Sequence, residues 1–221
     1  MTALAQEAPE SAHEAPEAPE EVPEMPRPEE LDEVLWQAWK DMELPEGYRA
    51  EIVEGFIEVS PTGRASHARI INRLREALAR HLEGSEYSAQ HDWNVIHDRK
   101  PWVPDLIVVP REDEEFLTED GLGLTAEAIQ LVVEVVSPGR NHQQRDRERK
   151  RRAYATAGIP VYVIIDDYDN HGTVTVLTSP SPKEGLYAAS TRVPYGTDAE
   201  IPEGPAKGFV ITEAVTGPRL D

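Results

Sequence analysis

The 221-residue sequence predicts an α/β or α+β domain built around a central mixed sheet. Three observations carry that expectation. The runs 104–109, 131–136 and 161–165 are short and almost wholly apolar, as strands covered on both faces are. Two helical stretches, one amphipathic after His67 and one charged over 141–157, interleave with these runs. A Glu54-Gly55 turn separates two further strand-like runs, as in a β-hairpin.

Residues 1–30 hold nine Glu, six Pro and one basic residue, Arg27, and repeat a Glu-Ala-Pro theme. Such a segment buries too little apolar surface to offset its ordering entropy. Residues 1–28 are therefore expected to form a disordered acidic tail, with 29–221 as a single folded domain. The segment lacks the basic start and apolar core of a secretory signal. No apolar run approaches the roughly 20 residues of a membrane helix, so a cytoplasmic protein is expected.

In the domain, Leu31, Val34, Leu35, Ala38 and Trp39 recur at helical spacing, and Pro45-Glu46-Gly47 ends that helix. The hairpin follows, with strands 48–53 and 56–60. After His67, Ile70, Ile71, Leu74, Leu78 and Leu82 fall on one helical face, and Gly84 stops the helix. Residues 86–97 read as one alternating strand. Leu106–Val109 is a buried strand opened by Pro104-Asp105. An acidic loop and a short segment, 125–129, lead to the strand 131–136, broken by Ser137-Pro138-Gly139. The charged helix ends at Gly158, and the runs 161–165, 173–178 and 186–193 are the later strands.

Net charge is -20, which alone argues against a polyanionic partner. Its distribution removes that objection. Residues 1–30 contribute -8 and the loop 112–120 another -6, whereas 64–81 carry +4 and 140–152 carry +5. The absence of cysteine excludes a disulfide framework, a Cys-based zinc site and a thiol nucleophile.

Glu134 is the most informative residue. An ionised carboxylate inside Leu131–Val136 is costly unless paired or bound to a cation. It is either a strand-end Glu satisfied by Arg or backbone donors, or a site residue. Asp105 alone reads as a turn or cap residue. Paired with Glu134 on a neighbouring strand, it could share one hard divalent cation, and Mg²⁺ suits such a site. Asp146, Lys150 and Tyr154, spaced i, i+4, i+8, form a helical stripe. The bland reading is a solvated face; the sharper one is a lysine that stabilises developing charge. Glu51 reads as an exposed edge-strand residue, and His67 as a helix cap.

In this order, Glu51-Ile-Val-Glu-Gly55, His67, Pro104-Asp105, Val133-Glu134-Val-Val-Ser-Pro138 and Asp146-Arg-x-x-Lys150-Arg-x-x-Tyr154-x-x-x-Gly158 resemble the Uma2 (DUF820) family. That family lies within the PD-(D/E)xK nuclease superfamily. The resemblance spans about residues 47–215. It implies a restriction-endonuclease-like fold, a mixed central sheet flanked by helices, and Mg²⁺- or Mn²⁺-dependent hydrolysis of DNA. Asp105 and Glu134 would bind metal. The superfamily lysine two residues after the second acid is absent, because Val136 stands there; Lys150, on the following helix, matches the place where Uma2-like proteins supply it. Glu51 matches an early acidic position and would complete the catalytic set. Val161-Tyr162-Val163 replaces the family's more usual Glu-Tyr-Trp.

DNA is then the expected partner, held by Arg69, Arg73, Arg145, Arg147, Arg149 and Arg151 from the two basic blocks, with a homodimer for double-strand cleavage. The alternative is an inactive nuclease-fold module that binds DNA or protein.

Overall fold

The computed structural model describes residues 27–61 and 65–219. Almost all of the acidic segment expected to be disordered lies outside them. Helix α1 (Pro28–Lys40) begins with Pro at its first position, where no backbone donor is lost, and with Glu29 and Glu30 in its positive first turn. Its apolar side differs from expectation. Leu31 and Val34 are exposed, and the buried residue is Trp36, stacked on Trp39. The Trp39 indole donates to the Ala50 carbonyl and ties α1 to the hairpin.

The hairpin, β1 (Tyr48–Val53) and β2 (Phe56–Pro61), forms as expected about Glu54-Gly55, where both residues have positive φ. Helix α2 (Ala65–His81) starts two residues before His67, so that histidine sits in the first turn and does not cap it. Ile70, Leu74 and Leu78 are buried, as their spacing predicted.

The run 86–97 is two strands in different sheets, not one. Strand β3 (Tyr87–Gln90) edges the central sheet, whereas β4 (Val95–His97) joins a small sheet with β5 (Lys100–Trp102) and, further on, β7 (Leu124–Thr125). Asp92, at φ +62°, redirects the chain between them. Strands β6 (Leu106–Pro110) and β8 (Leu131–Val135) are both buried. A helical stretch follows, comprising α3 (Arg140–Gln144), a π-helical turn (Arg145–Arg149) and α4 (Lys150–Thr156). Strands β9 (Val161–Asp166), β10 (Thr173–Ser181) and β11 (Leu186–Pro194) complete the main sheet. The short pair β12 (Ala199–Glu200) and β13 (Val210–Ile211) and helix α5 (Glu213–Thr216) close the domain.

The six-stranded sheet runs β11-β10-β9-β8-β6-β3. Only β8 and β9 are parallel, because a helical crossover joins them; the other pairs are antiparallel. Alternation along the strands divides two cores. Leu106, Val108, Val133 and Val163 pack with Leu74 and Leu78 of α2. Ile107, Val109, Val132 and Tyr162 pack with Tyr154 of α4 and with Trp102. The fold is thus a mixed central sheet between helices.

Candidate functional site

Strand register brings the two principal acids together. Leu106 pairs with Val133 and Ile107 with Val132. Asp105 immediately precedes the paired stretch of β6, and Glu134 immediately follows Val133 on β8, so the two acids lie at the same end of adjacent strands. Asp105 is fixed from three sides. Its Oδ2 accepts from the Val135 backbone N–H at 2.8 Å and lies 3.0 Å from His67 Nε2, and its Oδ1 accepts from Arg49 Nη2 at 3.2 Å. Glu134 Oε1 accepts from Lys150 Nζ at 2.8 Å and from the Tyr154 hydroxyl at 2.5 Å.

The hairpin supplies the flank. Arg49 and Glu51 are two residues apart on β1, so both side chains leave the same face. Glu51 is fully buried and not an exposed edge residue. Its Oε1 accepts from the Val103 N–H at 2.7 Å and lies 2.8 Å from Lys150 Nζ. Its Oε2 is buried without a hydrogen-bond partner and lies 3.8 Å from Arg145 Nη1.

The charged helix is not a solvated face. Arg145, Asp146, Lys150 and Tyr154 are all buried. The π-helical turn explains how Arg145 joins the others. It holds an extra residue per turn, which brings Arg145, five residues before Lys150, toward the side on which Asp146, Lys150 and Tyr154 already lie by their spacing. Arg145 Nε donates to Asp146 Oδ1 at 2.8 Å, and Lys150 is bonded to the two glutamates. Tyr162, at the position of the family's Glu-Tyr-Trp, donates to the Asp146 carbonyl at 2.7 Å.

Four carboxylates therefore share one buried cluster with Arg49, Arg145, Lys150 and His67. Burial raises the Glu134 pKa, Lys150 opposes it, and Asp105, Asp146 and Glu51 add to it; the result is about 7. Burial likewise outweighs Arg145 and Lys150 at Asp146, which is also raised. At Asp105, burial is overcome by the His67 hydrogen bond and charge and by Arg49, which hold it well below the usual carboxylate range. Glu51 is lowered against burial by Lys150, Arg49 and Arg145. Burial disfavours the Lys150 ammonium, but Glu134 and Glu51 outweigh it and raise its pKa.

The donor set fits a two-carboxylate divalent site. Asp105 and Glu134 lie at the same end of adjacent strands, Glu51 and Asp146 are buried in the same cluster, and Glu51 carries an orphaned buried oxygen. Among the described residues no three His, Asp or Glu side chains cluster closely enough to hold an ion by themselves. A Mg²⁺-like ion that keeps several waters does not require three.

The basic residues separate into two groups. Arg69 and Arg73 are exposed on α2, and Arg151 is half-buried. Arg145 is a correction: its guanidinium is inside, paired with Asp146, and cannot reach a DNA backbone. Arg147 pairs with Asp166, and Arg149 with Glu54 and Glu58, so their charge is already partly spent. Spacing alone left two site neighbours unassigned. Arg49 could have been found from its i, i+2 relation to Glu51, whereas nothing local links His67 to Asp105.

A mixed sheet with acids at adjacent strand ends and a lysine from the next helix defines a restriction-endonuclease-like nuclease fold. The chain belongs to the Uma2 family, whose model, described as "Putative restriction endonuclease", matches residues 36–213. A solved structure from Anabaena variabilis, described as a putative nuclease belonging to DUF820, is similar to it at 17% identity and TM-score 0.60, covering 84% of this chain and 96% of that one. Comparison with curated proteins gives no match. Among the described residues no helix is long and apolar enough to cross a membrane.

Proposed function

We propose that the chain is a cytoplasmic, divalent-metal-dependent endonuclease that hydrolyses DNA phosphodiester bonds. The observation that carries this reading is the pairing of β6 with β8, which brings Asp105 and Glu134 to the same end of adjacent strands, with Lys150 Nζ 2.8 Å from Glu134 Oε1. Asp105 and Glu134 would hold the cation, Mg²⁺ or Mn²⁺. When bound, it supplies Lewis-acid stabilisation of charge on the phosphoryl oxygens and a more acidic water. The chain's own groups prepare the site. His67, Arg49 and the Val135 N–H orient Asp105 and keep it ionised. Tyr154 and Lys150 hold Glu134, and Glu51 holds Lys150. Lys150 would then keep its proton and present positive charge to the reacting phosphate.

The test is plasmid cleavage with Mg²⁺ or Mn²⁺, comparing wild type with Asp105→Asn, Glu134→Gln and Lys150→Met. Metal-dependent nicking lost in all three is expected. Nicking that survives all three would remove this assignment. One observation favours a second reading, an inactive module that binds DNA or protein: both Asp105 oxygens are already engaged by protein donors. Wild type that binds but cleaves no form of DNA would select it.

A further inference from the structure

Glu51 and Lys150 are 0% exposed, Glu134 1% and Asp105 5%, so the acids do not stand on an open surface. A recess of about 330 Å³ leads to Asp105, bordered by Arg49, His67, Ile71, Asn72, His91 and the exposed Asp92, whose carboxylate pairs with the His91 ring. That volume is at the small end of the roughly 300–1,000 Å³ range of ligand pockets. It can accept a phosphate with part of one nucleotide; a base-paired duplex, whose major groove alone is about 12 Å wide, cannot enter it.

Arg49 lines this recess beside Asp105. It touches Asp105 through Nη2 alone, at 3.2 Å, and its Nε is buried without a partner. A guanidinium normally binds in a fork through two parallel N–H groups, and phosphate oxygens match that fork. The arginine is thus held by one arm with a further donor unspent. Free cations near the recess lie on α2, where Arg69 and Arg73 are exposed, whereas the charged helix beside the site offers few. Arg147, Arg149 and Arg152 are committed to Asp166, Glu54 and Glu58, and Arg145 is internal.

We infer that the recess between β1 and α2 is a subsite for one backbone phosphate of an unpaired DNA strand, with Arg49 as its phosphate-binding residue. This rests on the nuclease reading and narrows it: the scissile bond would be reached in a single strand or an unpaired segment. One site per chain suffices for such a substrate, so a homodimer is not needed for the chemistry.

The test measures binding without cleavage. Full-length protein in chelator is titrated into fluorescein-labelled single-stranded oligonucleotide, or the same sequence as a duplex, and anisotropy is followed. Single strand is expected to bind at least about tenfold more tightly. Arg49→Gln should lower that affinity about tenfold and leave weak duplex binding unchanged. Because Arg49→Gln also disturbs Asp105, Ala68→Trp is the second variant: residue 68 is exposed at the rim, and an indole there blocks the recess while leaving the buried cluster intact. Equal or tighter duplex binding overturns the inference, as does undiminished single-strand binding by Ala68→Trp. Because no cleavage is involved, either result leaves the plasmid-cleavage test of the nuclease reading untouched.

Discussion

Replacing Glu134 by Gln is expected to make the protein more stable above neutral pH and to change it little near pH 5. Burial, assisted by Asp105, Asp146 and Glu51, moves the Glu134 pKa from 4.5 to about 7 despite Lys150. A folded-state pKa above the unfolded one means that the folded protein holds this proton more tightly. The associated stability is complete below about 4.5 and is lost as pH rises to about 7. A gap of roughly 2.5 units at 1.36 kcal/mol each comes to ~3 kcal/mol. Gln cannot ionise, so it escapes that loss. Urea unfolding of both proteins in chelator should therefore show the variant ~3 kcal/mol more stable near pH 8 and equal near pH 5. Adding Mn²⁺ near pH 8 should narrow the gap. A ligand at a hundred times its Kd stabilises by about 2.7 kcal/mol, and the wild type should gain more than the variant. A variant that is no more stable than wild type near pH 8 would refute the reasoning, because the Lys150–Glu134 pair would then outweigh the cost of burying the charge.

Other expectations concern the rest of the cluster and the surface. Lys150→Met leaves Glu51 and Glu134 without the ammonium bonded to both, and should cost ~3–5 kcal/mol near pH 8, less at acid pH, by chemical denaturation. Arg69→Gln with Arg73→Gln should reduce the slope of log affinity against log salt by about 1.4 on single-stranded DNA without changing the melting temperature. Arg145→Gln should do the reverse, lowering stability and leaving that slope unchanged, since its partners are Asp146 and Glu51. Gly172→Ala should destabilise by ~1–3 kcal/mol, because φ there is +99° and a Cβ would lie 2.3 Å from the Tyr195 ring; thermal unfolding reads it.

Elements with strong local signals were legible in the sequence. The Glu54-Gly55 turn, the apolar strands holding Leu106 and Val133, and the Ile70-Leu74-Leu78 face each follow from a short window. Failures came where tertiary contacts decide. Residues 86–97 alternate as one strand would, but Val95 and Ile96 pair with β5 and β7, and a positive-φ Asp92 breaks the run. On α1, Leu31 and Val34 suggested the inward face, yet the Trp39–Ala50 hydrogen bond and the Trp36 stack orient the helix differently. The placing of Glu134 within a buried strand needed only its neighbours. The stripe of Asp146, Lys150 and Tyr154 was legible from spacing, but the inward rotation of Arg145 depends on a π-helical turn, for which the charged sequence carries no periodic sign.

That rotation bears on why the cluster exists. A network kept for stability would balance its charges, and a well-packed apolar set in its place would commonly be as stable or more so. Here four buried carboxylates face three permanent cations and one histidine. Burial raises Glu134 and Asp146 despite these cations, and Glu51 Oε2 is left without a hydrogen-bond partner. Leucine at 134 would suit the run Leu131–Val136 and remove the penalty. Retaining the acid, with Lys150 bonded to it, makes sense for a centre that acquires positive charge from outside. The overall charge of -20 therefore misleads about partners. Much of it belongs to the N-terminal segment and the 112–120 loop, whereas the four buried carboxylates of the site are largely offset by Arg49, Arg145 and Lys150.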